Sequence, residues 1–404
     1  MKILLLNLYF PPDTSATAKM AKTVADALCG QHEVTVLCGR PSYDPTERRP
    51  WQLWQTERSG NLRIIRVGST AFARFNMKKR VLNYLSYVAL AIPRALFVKC
   101  DAVLAMTDPP FEGIVGAFVA LLKGKPYLYN IRDMYPDMAV GGSIVEPGLL
   151  ARVWEKLHRW ALRRASCVIV LGEDMKNRIL AKGIDANRIE IVRDGTEIFP
   201  EGTPEPKLDA AVIQEIRGGF RFVLLHAGNL GFYGAWNTLL AAAKELASDG
   251  VGLVFVGEGA QRDALANAAS EIPNVKFLPF FPGSKIPSVL AAADAHVITV
   301  KRGLEGVVVP SKMYGILAAG KPIVAVATQE TDVASLCTRE GFGMATDPDR
   351  PAELVAAIKA LAADSNQVKK LGTAAKAAAR GYDRVNELQK FVQIAGRAAA
   401  GKKN

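Results

Sequence analysis

The chain has 404 residues, of which half are apolar and about a fifth charged, and carries a formal net charge of +12. That length exceeds what one hydrophobic core supports, so two domains are expected, and the composition excludes a disordered or fibrous chain. The charge is uneven: residues 1–200 hold 28 Lys and Arg against 19 Asp and Glu, while the remainder is nearly balanced. A basic first half suits an anionic partner, and the absence of any aromatic-interleaved basic stripe argues against nucleic acid.

The chain opens on Lys2-Ile3-Leu4-Leu5-Leu6-Asn7-Leu8, a buried-strand pattern too short for a secretory leader and followed by Pro11-Pro12. No leader, and hence a cytoplasmic protein, is the expectation. A helix is expected from about Thr17 to Leu28, then a strand at Glu33–Leu37. Lys78-Lys79-Arg80 precedes an apolar stretch to Ile92, interrupted by Pro93 well short of the roughly 20 residues needed to span a bilayer. It reads either as a core helix or as a helix dipping into a lipid surface beside its basic cluster. Further strand-like runs follow at Ala102–Met106, Tyr127–Ile131 and Cys167–Leu171, separated by helical patterns. One of those patterns carries Arg152, Lys156, Arg159, Arg163 and Arg164 with Trp154 and Trp160 and would extend a basic face.

Around Pro200 to Lys207 the composition turns to proline and glycine, the mark of a linker. A second series of strands then begins: Phe222–His226, Gly252–Val256, Val275–Leu278, Ala295–Val300 and Pro322–Val326. The expected domains are 1–199 and 208–383, both doubly wound α/β, with a tail helix at 384–400 that could pack on either. The five cysteines show no paired spacing and are expected to be free thiols.

In open parallel sheets, ligands bind beyond the carboxyl ends of the strands. There the sequence places Tyr9 to Ser15, Arg132-Asp133-Met134-Tyr135-Pro136, Gly228-Asn229-Leu230-Gly231 and Gly257-Glu258-Gly259. The strongest local feature runs from Lys301-Arg302-Gly303-Leu304-Glu305 to Pro310-Ser311-Lys312 and on to Ala318-Ala319-Gly320-Lys321-Pro322. Ser311 is expected to cap a helix starting at Lys312 and closed by Gly320, with Lys301, Arg302 and Lys312 gathered at its N-terminus as an anion site.

In order and spacing these five motifs resemble family 4 of the glycosyltransferases, in particular the bacterial branch that builds surface polysaccharide and lipopolysaccharide. The resemblance covers nearly the whole chain. It implies the GT-B fold, two Rossmann-like domains facing each other across a cleft. It further implies a retaining, metal-independent transfer from a nucleotide-diphosphate sugar, with UDP expected, and no cofactor. The acceptor would be lipid-linked or a saccharide, at the cytoplasmic face of a membrane met through residues 78–92.

Carried over by motif, Arg132 and Asp133 would serve the acceptor side and Glu305 the donor sugar. Gly228, Asn229 and Gly231 would line the donor phosphate loop with Glu258 in the turn behind it, Phe277 to Phe280 would offer backbone atoms to the nucleobase, and Lys301, Arg302, Pro310, Ser311 and Lys312 would hold the diphosphate. The chain departs from the pattern at Asn229 and Gly234, where an Arg and a Lys are usual, and at Arg132, where a His is common. Neither Met313 nor Gly315 supplies the second glutamate that grips the ribose. A catalytically degenerate nucleotide-sugar-binding protein of the same fold, or an epimerase, are the alternatives.

Overall fold

The computed structural model describes residues 1–42, 51–72, 77–198 and 206–400. Most of the expected linker, residues 200–205, lies outside them. The chain divides into two compact units, one of Met1–Leu171, Lys176–Val192 and Leu388–Asn404, the other of Gly172–Met175 and Arg193–Glu387.

Among the described residues the first unit has eight strands: β1 (Lys2–Leu6), β2 (Glu33–Cys38), β3 (Trp54–Ser59), β4 (Leu62–Val67), β5 (Ala102–Ala105), β6 (Tyr127–Asn130), β7 (Cys167–Val170) and β8 (Ile189–Ile191). They form one sheet in the order β3-β4-β2-β1-β5-β6-β7-β8. Among the described residues only the β3–β4 pair is antiparallel. Apolar runs such as Ile3–Leu6 and Ala102–Ala105 are wholly buried, as central parallel strands covered on both faces require. Its helices are α1 (Ala16–Cys29), α2 (Met77–Leu96), α3 (Glu112–Lys123), α4 (Asp137–Gly141), α5 (Leu149–Arg164) and α6 (Glu173–Ala181). Ser15 starts α1 by accepting a hydrogen bond from the Ala18 amide at 3.1 Å.

The structure adds two features to the α2 segment. The helix runs on through Pro93 to Leu96, so the proline does not end it. It also buries one face, including Tyr84, Tyr87, Ala91 and Ala95, while Leu82, Leu85 and Leu96 stay exposed. Among the described residues no helix is long and apolar enough to cross a membrane.

The second unit carries β9 (Phe222–Ala227), β10 (Val251–Val256), β11 (Val275–Leu278), β12 (Ala295–Thr299), β13 (Ile323–Val326) and β14 (Gly343–Thr346) in the order β11-β10-β9-β12-β13-β14, all parallel. Its helices are α7 (Ala210–Arg217), α8 (Trp236–Glu245), α9 (Arg262–Ala268), α10 (Ile286–Ala291), α11 (Lys312–Ala318), α12 (Asp332–Glu340), α13 (Pro351–Ala363) and α14 (Ser365–Ala379). A last helix, α15 (Arg384–Ala399), sends Phe391, Val392, Ile394 and Ala395 into the core of the first unit beside Val24, Leu28 and Val36. That placement settles which core the tail helix joins.

Candidate functional site

Strand order fixes where a ligand can enter each sheet. In the second sheet the chain departs to opposite sides after β9 and β12, which are neighbours, so their following loops separate and leave a crevice between them. The loop after β9 is 228–235 and the loop after β12 is 300–311, the two segments the sequence singles out.

The glycine loops interlock. The Gly228 amide donates to the Val256 carbonyl at 2.9 Å, Leu230 to Glu258 at 2.9 Å and Gln261 to Leu230 at 2.9 Å. Gly228, Gly257 and Gly259 adopt φ values of 141°, 150° and 158°, which L side chains rarely adopt. A Cβ on Gly257 would stand 2.0 Å from the Gly228 carbonyl oxygen, and one on Gly259 would stand 2.5 Å from Asn229 Oδ1. Glycine is therefore required by packing as well as by backbone angle. Asn229 is exposed, and its carbonyl accepts from the Tyr233 hydroxyl at 2.9 Å. Gly231 lends its carbonyl to Trp236 Nε1 at 2.7 Å, and the Lys301 amide donates to the Tyr233 carbonyl at 2.7 Å. The last bond ties the β9 loop to the β12 loop.

Lys312, the first residue of α11, reaches back to this loop. Its Nζ lies 2.7 Å from His226 Nε2 and 3.2 Å from where a Cβ on Gly228 would stand. His226 is fully buried near the end of β9, its ring edge-on to Trp236 at 5.0 Å. Burial lowers the Lys312 ammonium to about 7. Burial first, then the Lys312 charge, holds His226 well below its ordinary value. A cation of adjustable charge thus sits directly against a backbone that only glycine can form.

Glu305 is held in place from two sides: its Oε1 accepts from the Gly303 amide at 3.0 Å and from Thr328 Oγ1, just past β13, at 3.1 Å. Phe277 turns its ring inward and stacks on Phe255 at 4.9 Å, while Phe280, three residues on, is exposed and lies over Gly257. Of these two rings, Phe280 rather than Phe277 is presented at the loops. Glu258 is exposed and paired with Arg262 at 3.2 Å.

The three cations expected at the start of α11 are not equivalent. Lys312 is partly buried at Gly228, whereas Lys301 and Arg302 are exposed. The Arg302 guanidinium is engaged by Asp347 at 2.7 Å and Asp349 at 2.5 Å, which hold it above its ordinary range. Ser311 stands at the N-cap position in helical geometry and makes no side-chain cap bond. The capping expected of it is therefore not made; the turn closes through the Met313 amide on the Pro310 carbonyl at 3.1 Å.

In the first unit, the loops after β1, β5 and β6 each carry a cis proline, at Pro12, Pro109 and Pro136. The Leu8 amide joins two of these loops through the Asp108 carbonyl at 2.7 Å. Arg132 and Asp133 are half-buried and each is engaged with neighbouring groups. Tyr135 stacks on Trp154 at 5.9 Å. Burial, then the Asp133 and Asp108 carboxylates, raise its phenol well above the usual range. The carboxyl end of the sheet here therefore gathers an arginine, two aspartates and a half-buried tyrosine.

His226 and Thr328 are not singled out by the sequence, whereas Phe280 closes the Phe277 to Phe280 segment expected at the nucleobase. His226 had one available signal, an imidazole inside the apolar run Phe222–Ala227 two residues before a glycine loop. Thr328 had none, because its link to Glu305 depends on the sheet order.

Comparison with known proteins places this geometry. Residues 16–195 match the family described as "Glycosyl transferase 4-like domain", and residues 221–364 match "Glycosyl transferases group 1". The putative colanic acid biosynthesis glycosyl transferase WcaI of Escherichia coli (strain K12) is 24% identical, over 97% of this chain and 99% of its own length. The sucrose-phosphate synthase of Thermosynechococcus elongatus superposes with a TM-score of 0.74 at 15% identity, covering 99% of this chain and 100% of that one. HepE of Anabaena, solved with UDP-glucose, superposes with a TM-score of 0.69 at 20% identity, covering 99% and 100%. With both of its halves matched in this order, the chain belongs with the GT-B-fold glycosyltransferases, related to bacterial surface-polysaccharide transferases.

Proposed function

We propose that the chain transfers a glycosyl group from a UDP-linked sugar to a lipid-linked or saccharide acceptor in surface-polysaccharide synthesis, with retention of anomeric configuration. The observation that carries the donor side is the Lys312 ammonium against the Gly228 backbone at the β9/β12 switch point. A diphosphate there meets a positive charge and a backbone that a side chain would otherwise cover. A solved relative of the same fold binds UDP-glucose, which supports this class of donor.

In this reading the bond from the anomeric carbon to the diphosphate oxygen breaks, and the acceptor hydroxyl oxygen forms the new bond on the same face. The acceptor proton passes to the departing phosphate oxygen, so no strong protein base is needed. Lys312 stabilises the charge that grows on the diphosphate, and Glu305, fixed by Gly303 and Thr328, meets the sugar hydroxyls. Arg132 and Asp133 serve the acceptor. Among the described residues, no group of three or more His, Cys, Asp or Glu side chains is arranged to hold a metal ion.

The outer surfaces of α2, α3 and α5 support a membrane-surface acceptor. They expose Leu82, Leu85, Phe118, Leu122, Leu149 and Leu150 among lysines and arginines. Of the acids on these helices, Glu112 is buried and Glu155 is paired with Lys182 and Arg159. Such a surface suits anionic lipid.

A screen of UDP-, GDP- and dTDP-sugars by thermal shift, followed by NMR of the product anomer, tests the proposal. A melting increase with one donor class and a product of retained configuration are expected; an inverted product ends the mechanistic part. A second reading, binding without turnover, is favoured by Met313 and Gly315 where a ribose-gripping carboxylate is usual. Donor stabilisation with no transfer to any acceptor would select it.

A further inference from the structure

His226 has no part in the reading above, yet it holds the one cation that reading depends on. It is completely buried, its Nε2 is 2.7 Å from Lys312 Nζ, and its ring is fixed by Trp236 at 5.0 Å and Phe255 at 5.9 Å. Trp236 is itself anchored to the Gly231 carbonyl, so the imidazole is set by the same loop that approaches the donor. Asn229 and Gly234 supply no charge where cations are usual, and Arg302 is taken up by two aspartates. That leaves the exposed Lys301 and Lys312 as the cations of this segment, and of the two Lys312 has its ammonium against Gly228.

We propose that His226 is a positioning residue that parks Lys312 as a proton-sharing pair, so that binding a nucleotide sugar is coupled to uptake of one proton by Lys312. This rests on the donor site described under the proposed function. A buried imidazole and a buried amine cannot both carry charge at 2.7 Å, and burial places the lysine near 7 with His226 neutral. The other charged groups bearing on the pair oppose a second charge. His296 on β12 acts on His226, and Lys321, just past α11, acts on His296, with Asp294 offsetting part of the Lys321 charge. When a diphosphate reaches Gly228, its charge draws the ammonium form, and the proton comes from solvent.

The sign follows from linkage. Lys312 is already protonated below about 7, so affinity is flat there. Above that value each unit of pH costs about tenfold in affinity until the bound-state pKa is reached, or about thirtyfold between pH 6.5 and 8.5.

The test is calorimetry of UDP-glucose and GDP-mannose binding near pH 7, in phosphate and in Tris, whose ionisation heats differ. The diphosphate of a nucleotide sugar does not itself titrate in this range. About half a proton taken up per donor bound is expected at pH 7. His226→Gln, whose amide oxygen favours the ammonium, should lower the uptake; His226→Leu, which offers no acceptor, should raise it and weaken binding at pH 7. Two variants moving in opposite directions separate this role from a packing role, which would shift melting temperature without changing the proton count. Binding with identical heats in both buffers, or an unchanged proton count in both variants, overturns the inference and leaves the donor site standing. Failure of every nucleotide sugar to bind overturns both.

Discussion

Gly257 packs on the carbonyl of Gly228 so tightly that a Cβ at Gly257 would lie 2.0 Å from that oxygen. The contact joins the turn after β10 to the turn after β9, and it sets the height at which the Gly228 backbone meets Lys312. Gly257→Ala should therefore lose donor binding and destabilise the second unit by about 2–4 kcal/mol, from positive φ and overpacking together. Gly219→Ala is the matched control: its φ is 87° and its Cβ would meet nothing within 4 Å. That variant should cost only about 1–2 kcal/mol and keep binding. Denaturant unfolding and a nucleotide-sugar titration on both variants check the pair.

Glu112 gives the first unit a pH dependence. It is completely buried at the start of α3, with Oε1 2.9 Å from the Tyr87 hydroxyl, and burial raises its carboxyl to about 8. A carboxyl raised in the folded state makes its full contribution below its unfolded value and loses it as pH rises through about 8. Stability should fall from pH 5 to pH 8.5 in the natural chain. Glu112→Gln should remove that slope, leaving the two proteins alike at pH 5 and the variant more stable at pH 8.5, by up to a few kcal/mol. A melting series across that range would show parallel curves if Glu112 were not the source.

Much of this architecture is legible in the sequence, for a physical reason. Central parallel strands are buried on both faces, so Ile3–Leu6, Val103–Ala105 and Val251–Val256 stand out as continuous apolar runs. Among the described edge strands β11, Val275–Leu278, is legible and the others are not. β3, Trp54–Ser59, alternates exposed and half-buried residues and includes Glu57 and Arg58, while β8 and β14 are only three and four residues long. The glycine loops are legible because interlocked turns at positive φ need glycine, and the Lys312 segment because its cations cluster within a few residues of a helix start. Pairings across the sheet are not: His226 with Lys312 spans 86 positions, and Arg302 with Asp347 spans 45. Only the strand order brings those partners together. The continuation of α2 through Pro93 is likewise not legible, since whether a proline ends a helix depends on what the freed carbonyl and the neighbouring turns meet in the fold.

Arg302 separates a structural from a phosphate-binding cation. Its guanidinium is bound by Asp347 and Asp349 on the surface. Exposed pairs of this kind contribute little to stability. Arg302→Ala should leave the melting temperature nearly unchanged and reduce donor affinity by less than threefold. A loss of tenfold or more would show that Arg302 leaves its aspartates for the donor.

The exposed leucines of α5 test the membrane surface. Leu149 and Leu150 are 78% and 69% exposed beside Arg152. Replacing both with glutamate removes apolar area and places negative charge among the cations. Co-sedimentation with vesicles containing about 30% phosphatidylglycerol should fall several-fold, and the natural chain's binding should weaken with added salt. Salt-independent binding, or equal binding to neutral vesicles, would contradict an electrostatic surface.

A nucleotide sugar turned over at the Gly228–Lys312 loop must release its nucleotide there. Release of nucleotide from UDP-, GDP- and dTDP-sugars, measured with a bacterial lipid extract as acceptor for the natural chain and for Lys312→Met, tests that turnover most directly. One donor class should be consumed by the natural chain, and the variant should be slower by about a hundredfold, the effect of removing one charge-stabilising group. Consumption of no donor by the natural chain, or equal rates in the two proteins, would contradict the account.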